Sequence, residues 1–133
     1  MNVRSNSVPP RSTTSPALAT IAIAILCAAG PAGATGNVAR GQTLYKGCAD
    51  CHSIDKNDVG PMHKGLVGRK AGSVPGYDYS AELKSSGIVW TEENLDKWLN
   101  DPTQMVPDTK MLFSVESPQD RADLIAFLKL RAR

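Results

Sequence analysis

Five residues, Cys48-Ala49-Asp50-Cys51-His52, decide how this chain folds. Two cysteines separated by two residues and followed at once by a histidine are typical of a c-type haem attachment site. The two thiols add to the vinyl groups along one edge of the porphyrin, and the spacing lets both sulfurs reach. The histidine then turns beneath the ring, where its imidazole can bind the iron. We therefore predict one covalent haem c, attached through Cys48 and Cys51, with His52 as an axial ligand.

Other uses of this cysteine pair fit the sequence less well. A structural zinc site takes four ligands, commonly from a second cysteine pair or a histidine pair, and the third cysteine of the chain, Cys27, lies in an apolar run near the N-terminus. A thioredoxin-type redox pair stands within a βαβ pattern, whereas no alternating, strand-like run precedes Cys48. A plain disulfide would give His52 no role.

Composition limits the possible classes of protein. The chain has 133 residues, of which 41% are hydrophobic, 21% charged and 5% aromatic. These values are typical of one globular domain and argue against a disordered or multi-span membrane protein. The formal net charge of +2 gives no strong basic patch, so nucleic acid is not a predicted partner. A large flat apolar cofactor would complete a core that is poor in aromatic residues.

Residues 1–34 have the order of a secretory signal peptide. Two arginines and no acid precede a 14-residue apolar run, 17–30, and the small residues Ala32-Gly33-Ala34 follow it. A membrane-spanning helix needs about 20 apolar residues, so cleavage is favoured and an uncleaved anchor is the alternative. We predict a periplasmic protein with one domain, residues 35–133. Its net charge is zero, because the removed segment takes two of the 15 basic residues and none of the 13 acidic ones.

The rest of the sequence predicts helices and loops. Apolar spacing predicts a helix over 38–45, just before the attachment motif, and a threonine cap predicts another over 92–100 that ends at an Asp-Pro pair. A Ser-Pro pair begins a last helix whose apolar face runs through 124–128, and a short helical turn is expected over 80–85. The long segment 55–79, rich in glycine and proline, makes sense if it lines a cofactor.

The nature of the haem site depends on what binds the second axial position of the iron. The candidates after the signal peptide are Met62, His63, Met105 and Met111. Most methionines only fill gaps in a core. The first two candidates follow the attachment motif closely and are expected on its side of the haem, whereas the last two come after a helix and can approach from the opposite side. Residues 106–113 contain a proline and no helical period, which favours Met111 as the side chain held against the ring.

Taken in order, these segments make the sequence resemble the class I c-type cytochromes, the soluble mitochondrial and bacterial cytochrome c family. Beyond the motif, the resemblance is carried by Gly60-Pro61, Gly65–Gly72, Pro75–Tyr79, Gly87–Trp90, Pro107–Phe113 and Arg121–Leu128. It implies an all-α cytochrome c fold, with three main helices, short helical turns and long loops around one haem. It also implies a monomeric electron carrier that is not an enzyme.

The resemblance further implies a role for individual residues. The axial ligands would be His52 and Met111, and the carbonyl of Pro61 would accept a hydrogen bond from the far nitrogen of the histidine. Thr109 would lie close to the distal pocket. The residues expected to bind a haem propionate or offset its charge are Tyr79, Trp90 and Arg69.

Some positions depart from the family pattern. Trp98 stands where many members have a tyrosine that hydrogen-bonds the methionine sulfur, and because an indole N–H donates but does not accept, the network there must differ. His63 falls near a usually apolar position, and Leu83 falls where mitochondrial members have asparagine. Most of the lysines that surround the haem edge in mitochondrial members are absent here, and Lys110 remains. The resemblance therefore does not imply that partners dock through a ring of lysines.

The function implied is one-electron transfer in the bacterial periplasm between redox protein partners, such as a quinol-oxidising complex and a terminal oxidase or reductase. The protein would meet a membrane only through those partners, unless its N-terminus is retained. A high potential is expected, since a soft thioether ligand prefers ferrous iron. Two alternatives stay open should Met111 not bind the iron: a peroxidase-like haem enzyme and a gas-binding module.

Overall fold

Five α-helices make up the regular structure of residues 35–133, which are the residues that the computed structural model describes. The predicted signal peptide, residues 1–34, lies outside them. The helices are α1 Val38–Leu44, α2 Ala81–Ser85, α3 Glu92–Asn100, α4 Pro102–Met105 and α5 Pro118–Arg131. In the described part of the chain, strand-like pairing is limited to one antiparallel bridge between Lys70 and Val89, and no helix is long and apolar enough to cross a membrane. The predicted all-α fold is confirmed.

The helices begin where capping residues predict. Thr91 Oγ1 accepts a hydrogen bond from the backbone N–H of Asn94 at 3.1 Å at the start of α3. Ser117 does the same for α5, and Pro118 occupies its first turn, where a missing N–H costs nothing. These side chains satisfy backbone donors that have no partner inside their helices.

Two helix boundaries differ from the sequence prediction. The first helix ends at Leu44, and a 3₁₀ turn over Tyr45–Gly47 leads into the attachment motif. Asp101 ends α3 as expected, but its Oδ1 also accepts from the N–H groups of Thr103 and Gln104, at 3.0 and 3.1 Å. The Asp-Pro pair that stops one helix therefore starts another, α4, which was not predicted.

Helices α1 and α5 cross in close contact, and this contact positions the attachment motif. Gly41 lies at the crossing, where an added Cβ would come within 2.0 Å of the Asp123 carbonyl oxygen. The Asp123 side chain is 1% exposed and accepts hydrogen bonds from the backbone N–H of Asn37 and from Arg40 Nη1, both at 2.7 Å. Because α1 leads directly into the motif, this crossing sets where the two cysteines lie.

A buried arginine on α5 ties together α3 and the chain that follows Met111. Arg121 Nε donates to Asp96 Oδ1 at 2.7 Å. Its Nη1 donates to the carbonyl oxygens of Val115 and Glu116, at 3.0 and 2.8 Å, and to Asn100 Oδ1 at 3.1 Å. One side chain therefore anchors the end of the loop that carries the methionine.

Candidate haem site

A cavity of about 540 Å³ opens beside the attachment motif, within the range of about 300–1,000 Å³ usual for cofactor pockets. Its wall brings together all of the site residues predicted from the sequence: Cys48, Cys51, His52, Pro61, Arg69, Tyr79, Trp90, Thr109 and Met111. Much of the remaining wall is aliphatic and comes from the core: Leu66, Leu83, Leu95, Leu99, Leu124 and Leu128. An apolar lining with a few polar groups suits a large, flat, mostly apolar ligand.

The attachment motif forms one part of this wall. Cys48 is half-buried and Cys51 exposed, and both thiols are free; burial raises the pKa of the Cys48 thiol. His52 Nδ1 lies 2.8 Å from the carbonyl oxygen of Pro61. Because a carbonyl only accepts, Nδ1 carries the proton and Nε2 keeps its lone pair for a metal. Burial lowers the pKa of His52, which favours the neutral imidazole that binds metals.

The glycine before Pro61 allows the backbone to lie against the His52 ring. A Cβ at Gly60 would lie 2.3, 2.6 and 2.7 Å from Cε1, Nδ1 and Nε2 of that ring. Such similar distances to three neighbouring ring atoms place the Cβ position over the ring face rather than beyond its edge. Any other residue type at 60 would therefore collide with the imidazole, which explains the glycine in the Gly60-Pro61 pair.

Met111 reaches the same cavity from a distant part of the chain. Its Sδ accepts a hydrogen bond from Trp98 Nε1 at 3.1 Å, and Trp98 packs edge-to-face against Trp90 with ring centroids 5.1 Å apart. A thioether sulfur has two lone pairs, so one remains for a metal. Met62 and Met105 are partly buried against the core and are absent from the cavity wall.

The polar end of the cavity is built around Arg69. Its Nη1 and Nη2 donate to the carbonyl oxygens of Lys64 and Met62, at 2.5 and 2.9 Å. Its Nε is buried without a partner, the one side-chain polar atom of this kind in residues 35–133. The backbone N–H of Trp90 donates to the backbone carbonyl of Arg69 at 2.9 Å. Burial raises the pKa of Tyr79, although the positive charge of Arg69 opposes this increase. A buried, unpaired donor is costly, and a carboxylate would satisfy it.

These residues fit a c-type haem. The apolar wall suits the porphyrin, the two thiols lie beside it, and an imidazole nitrogen and a thioether sulfur face the same space. The orphaned Arg69 Nε suits a propionate carboxylate. The donor set is therefore complete for covalent attachment, axial ligation and charge compensation.

Comparison with known proteins agrees with this fit. Residues 38–131 match the family described as Cytochrome c. This chain belongs to the cytochrome c family. Cytochrome c2 from Rhodomicrobium vannielii is 48% identical over 99 residues, covering 71% of this chain and 79% of that protein. Cytochrome c2 from Blastochloris viridis is 42% identical over 109 residues, covering 79% of this chain and 86% of that protein.

A solved structure shares the fold. Cytochrome cH from Methylobacterium extorquens is 44% identical and superimposes with a TM-score of 0.69, over 71% of this chain and 98% of that one. The predicted resemblance to class I c-type cytochromes and the predicted cytochrome c fold are confirmed. As a cytochrome c, the chain carries covalent c-type haem and is a haem-based electron carrier.

Sequence reasoning missed the role of one pair of residues in this cytochrome c fold. The His63 ring stacks on the His52 ring, with centroids 4.3 Å apart and planes 18° from parallel. Tyr45 Oη lies 3.0 Å from His63 Nδ1. Because it stacks on the first imidazole, His63 belongs to the same side of the cavity. Burial, aided by the charges of His52 and Arg69, lowers the pKa of His63 to about 3, so this imidazole is neutral.

From the sequence we predict that Trp98 changes the network around Met111, but its contact with the sulfur keeps the donor role that a tyrosine hydroxyl would have. The indole donates directly to the sulfur, which is the direction of hydrogen bonding that an indole N–H permits. The signal in the sequence was the tryptophan itself, at a position where many family members carry a hydroxyl donor. What the sequence could not supply was the 3.1 Å contact.

Proposed function

We propose that this cytochrome c is a periplasmic one-electron carrier and performs no bond chemistry. Its single haem is attached through Cys48 and Cys51, with His52 and Met111 as axial ligands. The observation that carries this proposal is the hydrogen bond from Trp98 to the Met111 sulfur at 3.1 Å, in the wall that also holds His52. It holds the sulfur in the cavity and leaves it one lone pair for the iron.

The bound haem supplies the redox chemistry, as its iron alternates between the ferrous and ferric states. The surrounding residues favour the ferrous state in two ways. A thioether is a soft ligand that prefers Fe(II), and the aliphatic wall penalises the extra positive charge of Fe(III). A relatively high potential follows from these two effects. The carbonyl of Pro61, 2.8 Å from His52 Nδ1, fixes the tautomer and raises the basicity of the imidazole, which by itself favours Fe(III) and partly offsets them.

Three residues bind or neutralise a haem propionate in this proposal. Tyr79 and Trp90 are buried on the cavity wall, where each offers a donor. Arg69 supplies the charge and the unpaired Nε. Thr109, 6% exposed, lies on the wall within the loop that carries Met111. Burying a propionate in this way avoids leaving a negative charge unpaired in an apolar site.

Electrons would leave through the side of the cavity where apolar side chains face solvent. Val59, Leu112 and Phe113 line the cavity and are 71%, 77% and 52% exposed. The nearby Lys110 is paired with Asp78 at 2.7 Å, so it does not present an isolated charge. We infer brief docking of a monomer to redox proteins through a small interface, such as a quinol-oxidising complex and a terminal oxidase or reductase.

Export follows from the N-terminal sequence. The charged, apolar and small-residue order of residues 1–34 supports cleavage after Ala34 and release into the periplasm. Intact-mass measurement of the protein from a periplasmic fraction would test this, since it should begin at Thr35. A mass that retains the segment, with the protein in the membrane fraction, would instead show an anchored cytochrome.

Absorption spectra of the holoprotein test the ligand set. We expect a low-spin c-type spectrum with the weak far-red sulfur–iron band in the oxidised form, and no change when carbon monoxide is added to the reduced form. Met111→Ala should lose the band, lower the potential and bind carbon monoxide. Met105→Ala, the control, should do none of these. A carbon monoxide shift in the unaltered protein would overturn the carrier assignment and favour a gas-binding or peroxidase-like site.

A further inference from the structure

The His63–Tyr45 pair lies beside the ligand His52, and the function proposed above gives this pair no role. Both side chains are polar, yet Tyr45 is 8% exposed and packs against Phe127, with ring centroids 5.0 Å apart. Burial raises the pKa of Tyr45 to about 12, and His63 is also neutral. Two polar side chains thus meet through one hydrogen bond of 3.0 Å, Tyr45 in the core and His63 partly buried beside it. Such a pair needs a reason, because an apolar pair would avoid the desolvation cost.

The geometry supplies that reason. The hydrogen bond from His52 Nδ1 to Pro61 fixes one point of the imidazole, and the Gly60 backbone covers part of a face. These two contacts restrain rotation of the ring about the line from iron to Nε2 at one nitrogen and over part of one face. A second ring lying 4.3 Å away and nearly parallel also opposes that rotation. The hydrogen bond to Tyr45 in turn fixes the second ring, since Tyr45 is itself wedged against α5.

We infer that His63, held by Tyr45, is a positioning residue that sets the plane of the His52 imidazole above the haem. This inference rests on the proposed ligation by His52. The plane of an axial imidazole decides which iron orbitals its π system overlaps, and outer residues that orient a ligand tune the metal in this way. The pair acts through His52.

A set of four variants tests the inference on the oxidised holoprotein. His63→Leu removes both the stacked ring and its hydrogen bond, Tyr45→Phe removes only the hydrogen bond, and the double variant removes everything without leaving a buried hydroxyl unpaired. Lys64→Gln is the control, because Lys64 directly follows His63 in the chain and its side chain is exposed. The readouts are the electron paramagnetic resonance g-values and the spread of the haem-methyl proton shifts, which report the ligand plane.

We expect His63→Leu to change the g-values and the order or spread of the methyl shifts, and Tyr45→Phe to move them partway in the same direction. The equilibrium with a redox mediator should shift about two- to fivefold towards the reduced protein in His63→Leu, because a polar group beside the ligand is lost. Lys64→Gln should leave all of these readouts unchanged. Should His63→Leu fold poorly, the double variant provides the same comparison.

Two outcomes would overturn the inference. The first is a His63→Leu protein, or the double variant, whose g-values and methyl shifts match those of the unaltered protein. The second is a Tyr45→Phe change that is as large in the His63→Leu protein as in the unaltered one, since Tyr45 is proposed to act only through the imidazole. Failure of the proposed ligation looks different, because the far-red sulfur–iron band or the low-spin spectrum would then be missing in the unaltered protein itself.

Discussion

The two sides of the haem cavity are held in different ways. On the His52 side the restraints come mainly from nearby backbone: the carbonyl of Pro61 lies 2.8 Å from Nδ1, and the Gly60 main chain covers the ring. On the Met111 side they come from side chains that lie far away in sequence. Trp98 donates to the sulfur, and Arg121 anchors the chain that follows.

This difference has consequences for both stability and redox tuning. Backbone restraints around His52 leave little room for adjustment, because peptide atoms next to a ring cannot rotate out of the way. Each side-chain restraint around Met111 can be removed by a single substitution. Each substitution there should therefore cause a separate, partial change in the potential or in the local stability. The His52 side should therefore respond sharply to added volume, and the Met111 side gradually to lost hydrogen bonds.

The largest effect is expected from Gly60→Ala. The new Cβ would lie 2.3 Å from Cε1 of His52, so either the loop or the ligand must shift. Overpacking of this kind costs about 3 kcal/mol or more in unfolding free energy, and it should also reduce the yield of low-spin haem protein. Denaturant unfolding followed by haem absorbance would measure both.

Gly47→Ala is the matched control for this substitution. Gly47 also lines the cavity, but a Cβ there meets nothing within 4 Å. Its unfolding free energy and its spectrum should stay close to those of the unaltered protein. Equal losses in the two variants would show that the close approach to the imidazole is not the cause.

Arg121→Met should have the next largest effect and should act on the Met111 side. The change leaves the carbonyl oxygens of Val115 and Glu116 without their donor, and the loss of buried hydrogen bonds to a charged group costs about 2–4 kcal/mol. The far-red sulfur–iron band should then disappear at a lower temperature than the loss of helical circular dichroism. Lys97→Met, which breaks an exposed ion pair with Glu93, should change neither.

Trp98→Phe should have a smaller effect, seen in the potential rather than in stability. Without the indole N–H, the Met111 sulfur donates more electron density to ferric iron, so the potential should fall. A hydrogen bond worth about 1 kcal/mol corresponds to at most about 40 mV for one electron, at about 59 mV per tenfold change. Trp98→Tyr should recover part of the loss, since its hydroxyl also donates. An unchanged potential in Trp98→Phe would show that the contact is not maintained beside bound haem.

The same contrast explains what could be predicted from the sequence. The attachment motif is a local pattern, so His52 was predictable from a few adjacent residues, whereas the role of Pro61 was implied by the family resemblance. Helix starts were predictable for the same reason, because Thr91 and Ser117 cap their own helices. The short helix α4 was missed because Asp101 serves both as an end and as a start.

The Met111 side was harder to predict because it depends on long-range contacts. Residue chemistry alone left Met105 as an alternative, and the choice depends on which side chain the loop turns into the cavity. That turn includes Asp108 in the left-handed region, with φ 62°. The His63–Tyr45 contact joins residues 18 positions apart, and no periodicity in the sequence reports it.

The smallest effect on the haem spectrum and potential is expected at the crossing of α1 and α5, which supports the motif and leaves Met111 alone. Hydrogen bonds from the Asn37 N–H and from Arg40 lower the pKa of Asp123. A carboxyl whose pKa is depressed on folding adds stability that is present above its unfolded pKa of about 3.9 and is lost as pH falls through the folded pKa. Asp123→Asn keeps an acceptor for Asn37 but loses this charge, so it should be less stable than the unaltered protein at neutral pH. The gap should begin to narrow below about pH 4 and close as pH falls through the folded pKa, as unfolding curves across pH would show, and a gap that stayed constant into acid would mean that the charge contributes nothing.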